Sequence, residues 1–194
     1  MPMHNLELNV SWEEYHRAIE LLALEIHASG WQFDQILCLA RGGLRIGDVF
    51  SRLFNCPLAI LSVSSYREEG GTKQSTLNIS PTITATFPYL KGNVLIVDDL
   101  VDSGISLREV IKLLPSMFPQ LVEIKSAVIW YKQNSVFAPD FYLEYLEHNP
   151  WIIQPFEKYD HFSIADLQSK EDANAIKTAI NENEFQFIEA NSHE

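Results

Sequence analysis

Apolar and polar positions divide this chain into short, nearly continuous apolar runs and longer amphipathic stretches. Gln35–Ala40, Leu58–Val63, Val94–Val97 and Ile124–Tyr131 are apolar runs rich in branched side chains. That is the pattern of strands covered on both faces of a parallel sheet. Phe141–Leu146 reads as a further strand. Ahead of them, Ser11-Trp12-Glu13-Glu14 forms a capping box, in which the Ser11 hydroxyl accepts from the Glu14 N–H and Glu14 reaches back. Trp12, Tyr15, Ile19, Leu22 and Ile26 follow at helical spacing, and Gly30 stops the run. The pattern predicts an amphipathic helix over a sheet, with Trp12 in the core. Leu44–Phe54 and Leu107–Phe118 read as helices, the second region ended by Pro115 and Pro119. The fold class is therefore α/β, a twisted and mostly parallel sheet flanked by helices.

Two regions break this rhythm. Arg67–Ser80 is polar and contains Gly70-Gly71, a length typical of a lid or a disordered segment. Thr82–Phe87 alternates, which predicts a returning strand and makes the polar stretch a long hairpin. Beyond Asp160 the pattern predicts a helix over Ile164–Ile180, with Leu167 and Ile176 inward, and a short strand at Glu184–Ile188.

Chemistry collects where predicted strands meet predicted helices. Val94–Ser106 reads Val-Leu-Ile-Val-Asp-Asp-Leu-Val-Asp-Ser-Gly-Ile-Ser. A buried strand feeds a helix through a turn of small residues, where N–H groups and the helix dipole favour an anion. Asp98, Asp99 and Asp102 would repel a bare phosphate. They suit a ligand that also carries hydroxyls, or a divalent cation needing oxygen ligands, and a phosphorylated sugar with Mg²⁺ meets both demands. Arg41-Gly42-Gly43 repeats the strand–turn–helix arrangement, with glycines admitting close backbone approach and a guanidinium fork suited to phosphate. On its own it is equally a plain tight turn. Lys132 ends a strand, where open α/β sheets bind ligands, or is simply an exposed strand-end lysine. Trp151 lies in Pro150-Trp151-Ile152-Ile153-Gln154-Pro155, where it either stacks on a planar base or fills a core; sequence alone favours the core.

Composition narrows the classes. The chain has 194 residues, 46% hydrophobic and 21% charged, enough for one α/β domain with a sizeable core. No apolar run approaches the ~18 residues of a membrane span. Met1–Asn9 is polar, without the apolar centre of a signal peptide, so a cytoplasmic setting is expected. The net charge of −12 argues against nucleic-acid and anionic-membrane partners. Half of it arises over Glu157–Glu194, where nine acids stand against three bases. Cys38 and Cys56 make no disulfide framework and read as small core hydrophobes. His148, His161 and His193 show no metal spacing and read as surface residues.

Val94–Ser106 resembles the phosphoribosyl-pyrophosphate (PRPP) signature of the type I phosphoribosyltransferases. Trp12, Arg41-Gly42-Gly43-Leu44, Ser64-Ser65-Tyr66, Asp98–Ser106, Lys132 and Trp151-Ile152…Gln154-Pro155 occur in the order found in bacterial xanthine-guanine phosphoribosyltransferases. The likeness runs over roughly Val10–Glu157. It implies a phosphoribosyltransferase domain over 1–160, with a small hood around 133–157 over the ligand crevice and a long flexible hairpin loop. Residues 161–194 would be a helix–strand extension packed on the same domain. The implied reaction transfers 5-phosphoribose from PRPP to N9 of a 6-oxopurine, in purine salvage. Asp98 and Asp99 would hold the ribose hydroxyls and Mg²⁺. Ser103, Gly104, Ile105 and Ser106 would wrap the 5′-phosphate. Arg41 and Gly42 would meet pyrophosphate, with a non-proline cis peptide at Ala40–Arg41. Lys73, or else Arg67, would come from the loop that Ser64-Ser65-Tyr66 begins. Asp102 would be the general base or the acceptor from purine N7–H, and would also border PRPP. Lys132 would read the 6-oxo group, Trp151 stack on the ring and Ile152 read its edge. A homodimer or homotetramer is implied by the same analogy.

The departures are specific. Ser103 and Ser106 replace threonines, Ile105 a small or polar loop residue, Gln133 a proline after the lysine, and Ile153 an acid. The last leaves the choice among xanthine, guanine and hypoxanthine open. Two other readings stand beside the enzyme: a non-catalytic PRPP-sensing regulator, and a phosphoribosyltransferase for another base. Lys132 argues against adenine, which has no 6-oxo group.

Overall fold

The computed structural model describes residues 7–66 and 76–168. In chain order the elements are β1 (Glu7–Asn9), α1 (Trp12–Ala28), β2 (Gln35–Ala40), α2 (Leu44–Leu53), β3 (Leu58–Tyr66), β4 (Thr76–Ile79), β5 (Thr84–Ala85), β6 (Gly92–Val101), α3 (Ile105–Met117), β7 (Leu121–Lys132), β8 (Phe141–Leu146), β9 (Trp151–Ile153), α4 (Lys158–His161) and α5 (Ile164–Gln168). The chain divides into two compact units on either side of the Ile152–Ile153 bond. Lys73, Arg67, Ile176, the strand at Glu184–Ile188, His193 and most of the helix at Ile164–Ile180 lie outside the described residues.

The main sheet runs β4-β3-β2-β6-β7-β8, with β5 also on β3. Pairings β2–β3, β2–β6, β6–β7 and β7–β8 are parallel; only β4 and β5 run antiparallel to β3. The apolar runs form this sheet because each is long enough to bury both faces. Leu37, Leu39, Val94, Ile96 and Val128 pack with Leu107, Val110 and Leu114 of α3 in one core. On the other face Gly47 of α2 lies against Cys38, Leu58 and Val97, so closely that any Cβ there would strike the Cys38 sulfur. Helix α1 is closed by the expected capping box, with Ser11 and Glu14 exchanging bonds of 2.8 and 3.2 Å. It buries Tyr15, Ile19, Leu22, Ala23 and Ile26. No helix among the described residues is long and apolar enough to cross a membrane.

Several expectations need correction. Trp12 is not core; it is 38% exposed, because α1 begins there and its indole leans outward over His16 and Arg45. The returning strand opposite β3 is chiefly β4, inside the stretch read as loop, while Thr82–Phe87 contributes only two strand residues. Thr76–Ile79 also alternates, and Pro81 and Pro88 confine the later segment. Pro115 does not end α3, which continues to Met117. Near the last turn the missing N–H costs one bond, and Phe118 N–H still donates to Leu114 O at 2.8 Å. Strand β6 does not stop at Val97: its ladder with β7 continues past the acids to Val101. Cys56 is only partly buried, unlike Cys38.

Candidate active site

Strand order reverses between β2 and β6. From β2 the chain passes through α2 to β3 on one side, and from β6 through α3 to β7 on the other. Open α/β sheets bind ligands at the carboxyl ends of strands at such a point. Register brings the chemistry of the sequence there. Cys38 pairs with Val97, so the turn after Ala40 leaves the sheet beside Asp98 and Asp99. Val101 pairs with Tyr131, which sets Asp102 beside Lys132.

The Arg41–Gly43 turn sits directly on the acid pair. The Ala40–Arg41 peptide is cis. A Cβ on Gly42 would collide with the carboxylate oxygens of both Asp98 and Asp99, and one on Gly43 with the carbonyl of Val97. Only hydrogen fits at either position, so the backbone of the turn lies against the carboxylates. Gly43 N–H donates to Leu39 O at 2.8 Å, and Gly43 then caps α2. Arg41 is exposed at the rim.

Burial pushes the Asp98 carboxyl well above the usual carboxylate range, and the neighbouring charge of Asp99 adds to this. The Asp99 N–H donates to Asp98 Oδ1 at 3.0 Å and partly offsets it. Two acids this close favour a bound cation or hydroxyl donors between or upon them. Among the described residues no group of three or more His, Cys, Asp or Glu is placed to hold a metal by itself.

Beyond β6, Asp102 leads into the turn of small residues. Gly104 adopts φ +74°, a left-handed conformation that starts α3. Ile105, at the first helical position, is 43% exposed. Ser103 Oγ accepts from Ile105 N–H at 3.4 Å, and Ser106 is half-buried in the first turn. Lys132 Nζ lies 3.5 Å from Asp102 Oδ1. The lysine side chain is buried at 7% exposure, whereas Asp102 is about half exposed at 48%. A buried ammonium is thus held at the strand ends beside a carboxylate that solvent or ligand can reach. Lys132 is no surface lysine, contrary to the plainer reading.

Trp151 and Ile152 belong to β9, which pairs with β1 in a separate two-stranded sheet. Trp151 is 58% exposed and Ile152 buried. The core reading of Trp151 is overturned: in a three-residue strand, alternation buries Ile152 and turns the indole outward. The structure therefore brings Arg41, Gly42, Asp98, Asp99, Asp102, Ser103, Gly104, Ile105, Ser106 and Lys132 to neighbouring strand ends, with Trp151 and Ile152 on another sheet.

Two further residues join this site. Tyr15 is fully buried, against Trp130 at 6.2 Å between ring centroids. Burial pushes its hydroxyl upward, Asp99 adds to this, and Arg45 opposes it ahead of a smaller contribution from Asp98. The Arg45 guanidinium lies 5.7 Å from the Trp12 ring centroid. A cation in the first turn of a helix opposes the helix dipole, and that is the one mark in the sequence that sets Arg45 apart. The cavity of about 610 Å³ along α1, lined by His16, Arg17 and Leu143 among others, carries none of these groups.

Residues 11–161 match the family described as phosphoribosyl transferase domain. The xanthine-guanine phosphoribosyltransferase of Gluconobacter oxydans is 31% identical over 149 residues, 76% of this chain and 83% of the relative. That of Idiomarina loihiensis is 30% identical over 160 residues, 81% of this chain and 91% of the relative. The crystal structure of the purine phosphoribosyltransferase from Pyrococcus horikoshii superposes with a TM-score of 0.64 at 30% identity, covering 77% of this chain and 93% of its own. The Helicobacter pylori xanthine-guanine-hypoxanthine phosphoribosyltransferase superposes with a TM-score of 0.65 at 25% identity, covering 84% and 99%.

Proposed function

As this chain belongs to the phosphoribosyl transferase domain family, we propose that it transfers 5-phosphoribose from PRPP to N9 of a 6-oxopurine and releases pyrophosphate, in purine salvage. The observation that carries the choice of base is Lys132 Nζ 3.5 Å from Asp102 Oδ1. A 6-oxopurine presents a carbonyl acceptor beside ring nitrogens that carry or share a proton. An ammonium donor next to a carboxylate acceptor complements that edge. Adenine would set an amino donor against the ammonium.

The reaction breaks the bond between C1 of the ribose and pyrophosphate oxygen, and the bonding pair leaves with pyrophosphate. Negative charge gathers on the leaving group and positive charge on the ribose ring. Arg41 and the Gly42–Gly43 backbone meet the first, and Asp98 and Asp99 hold the ribose hydroxyls beside the second. Purine N9 supplies the new bond to C1, and the proton the base gives up passes to Asp102, acting as general base or as acceptor from N7–H. Ser103, Gly104, Ile105 and Ser106 hold the 5′-phosphate. Trp151 covers the base and Ile152 reads its edge. Asp98 and Asp99, with their hard carboxylate oxygens, would hold Mg²⁺. The chemistry it would supply there is neutralisation of charge on the leaving group. The reading carries with it a cytoplasmic setting and a homodimer or homotetramer.

Pyrophosphate release with PRPP and Mg²⁺ tests the proposal against guanine, xanthine, hypoxanthine, adenine, uracil and orotate. Release with one or more of the three 6-oxopurines, and not with the other bases, is expected. Release with adenine or a pyrimidine alone overturns the choice of base. PRPP binding without release from any of the six overturns the enzyme reading in favour of a PRPP-sensing regulator.

A further inference from the structure

The segment that follows Lys132 forms a closed brace between the base-reading strand end and the phosphate turn. Ser135 N–H donates to Lys132 O at 3.1 Å, and Val136 N–H donates to Ser103 O at 2.9 Å. Together with the Lys132–Asp102 contact, these bonds complete a ring through Asp102, Ser103, Val136, Ser135 and Lys132. Ser135 holds the brace in shape: its hydroxyl donates to Phe137 O at 2.7 Å and accepts from Phe137 N–H at 3.1 Å. Phe137 in turn packs against the core cluster around α3. The brace presses on the turn itself, since a Cβ on Gly104 would strike Ser135 Oγ and come within 2.9 Å of Phe137 N.

Peptide geometry gives this contact a consequence. The carbonyl of Ser103 and the N–H of Gly104 belong to one peptide plane and point in opposite directions across it. Fixing the carbonyl on Val136 therefore aims the Gly104 N–H away from the brace. Gln133 and Asn134, which link Lys132 to Ser135, carry no ring to stiffen the backbone of this segment. A side-chain clamp at Ser135 supplies the missing restraint.

We infer that Ser135 is a positioning residue for the 5′-phosphate turn, acting through the Val136–Ser103 bond to present the Gly104 N–H to phosphate. The inference rests on the phosphoribosyltransferase reading for its ligand, but not for its geometry.

The test compares Ser135→Ala and Ser135→Thr with the parent chain. Ser135→Ala is expected to raise KM for PRPP about 10-fold with kcat and the purine KM changed less than about 3-fold, in line with loss of a hydrogen bond that orients a charged contact. It should weaken binding of guanosine 5′-monophosphate by a similar factor and leave guanosine binding unchanged. Ser135→Thr, which keeps the hydroxyl, should restore most of the loss. Hydrogen exchange over residues 102–106 should quicken in Ser135→Ala, with the Tm of the two proteins measured alongside. An equal loss for nucleotide and nucleoside, or a fall in kcat alone, would mean general loosening and overturn the inference. So would unchanged exchange at 102–106. If the parent chain neither turns over a 6-oxopurine nor binds the nucleotide, the enzyme reading fails by itself. The exchange measurement then still decides the brace.

Discussion

At the scale of single residues, the contact between Lys132 and Asp102 divides labour between two atoms 3.5 Å apart. In the proposed function the buried ammonium meets the base and not the sugar, so its removal should be felt selectively. Lys132→Ala should raise the purine KM by about 10- to 100-fold, the range of a charge-assisted hydrogen bond, with the PRPP KM moving less than about 3-fold. Steady-state kinetics with each substrate varied in turn checks this, and a larger change for PRPP would place the lysine elsewhere. Asp102 is half exposed, and in the proposed function it takes the proton of the base. Asp102→Asn keeps the shape and the acceptor oxygen but cannot take a proton, so kcat should fall at least ~100-fold. Near-normal turnover would remove the role assigned to it.

At the scale of elements, the site is made by three parallel strands delivering their carboxyl ends to one place. The turn after β2 is packed so closely on the end of β6 that a methyl group is decisive. Gly42→Ala places carbon among the Asp98 and Asp99 oxygens. The turn must lift or the carboxylates must swing, and either spoils the pocket for pyrophosphate and ribose together. The expected result is a rise in PRPP KM of at least ~10-fold with near-parental Tm, because the displaced groups lie at the sheet's rim and outside the core. Measured KM and thermal melting separate this from unfolding.

Elements were legible in the sequence where local chemistry decides them. The Ser11–Glu14 capping box set the start of α1, and the branched apolar runs β2, β3 and β7 each needed cover on both faces. The turn of small residues between β6 and α3 was legible because a branched apolar run passes through Ser103-Gly104 into a helical pattern. Pairing was not legible to the same degree. That β6 continues through Asp98 and Asp99 depends on β7 lying alongside to complete the ladder. That Trp151 faces outward depends on β1, more than a hundred residues away, closing a small sheet with β9. The Ser135 brace depends on hydrogen bonds between two segments whose meeting no local pattern announces.

At the scale of the whole molecule, the net charge is −12, and the site keeps a half-buried acid pair within that negative field. The consequence is a stability cost that appears only above acid pH. In the unfolded chain Asp98 ionises near the ordinary value of 3.8; in the folded chain burial and Asp99 hold its proton to well above that. Between the two the folded state binds more protons, so the free energy of unfolding falls as pH rises, until the folded carboxyl ionises as well. Exposed acids such as Glu14 and Glu109 are shifted downward and act with the opposite sign, losing their contribution as pH falls. They are common to parent and variant, so they cancel in a difference. Asp98→Asn removes the ionisation while its amide oxygen can still accept from Asp99 N–H. The ligand-free variant should therefore match the parent near pH 4 and exceed it by a few degrees in Tm at neutral pH. Activity should be lost over the same range, since the charge that destabilises the fold is the one proposed to hold the ribose. PRPP with Mg²⁺ should stabilise the parent more than the variant and close the gap. Thermal unfolding from pH 4 to 8, with and without these ligands, measures each part. A difference that stays flat across pH would show that Asp98 carries no buried proton to lose.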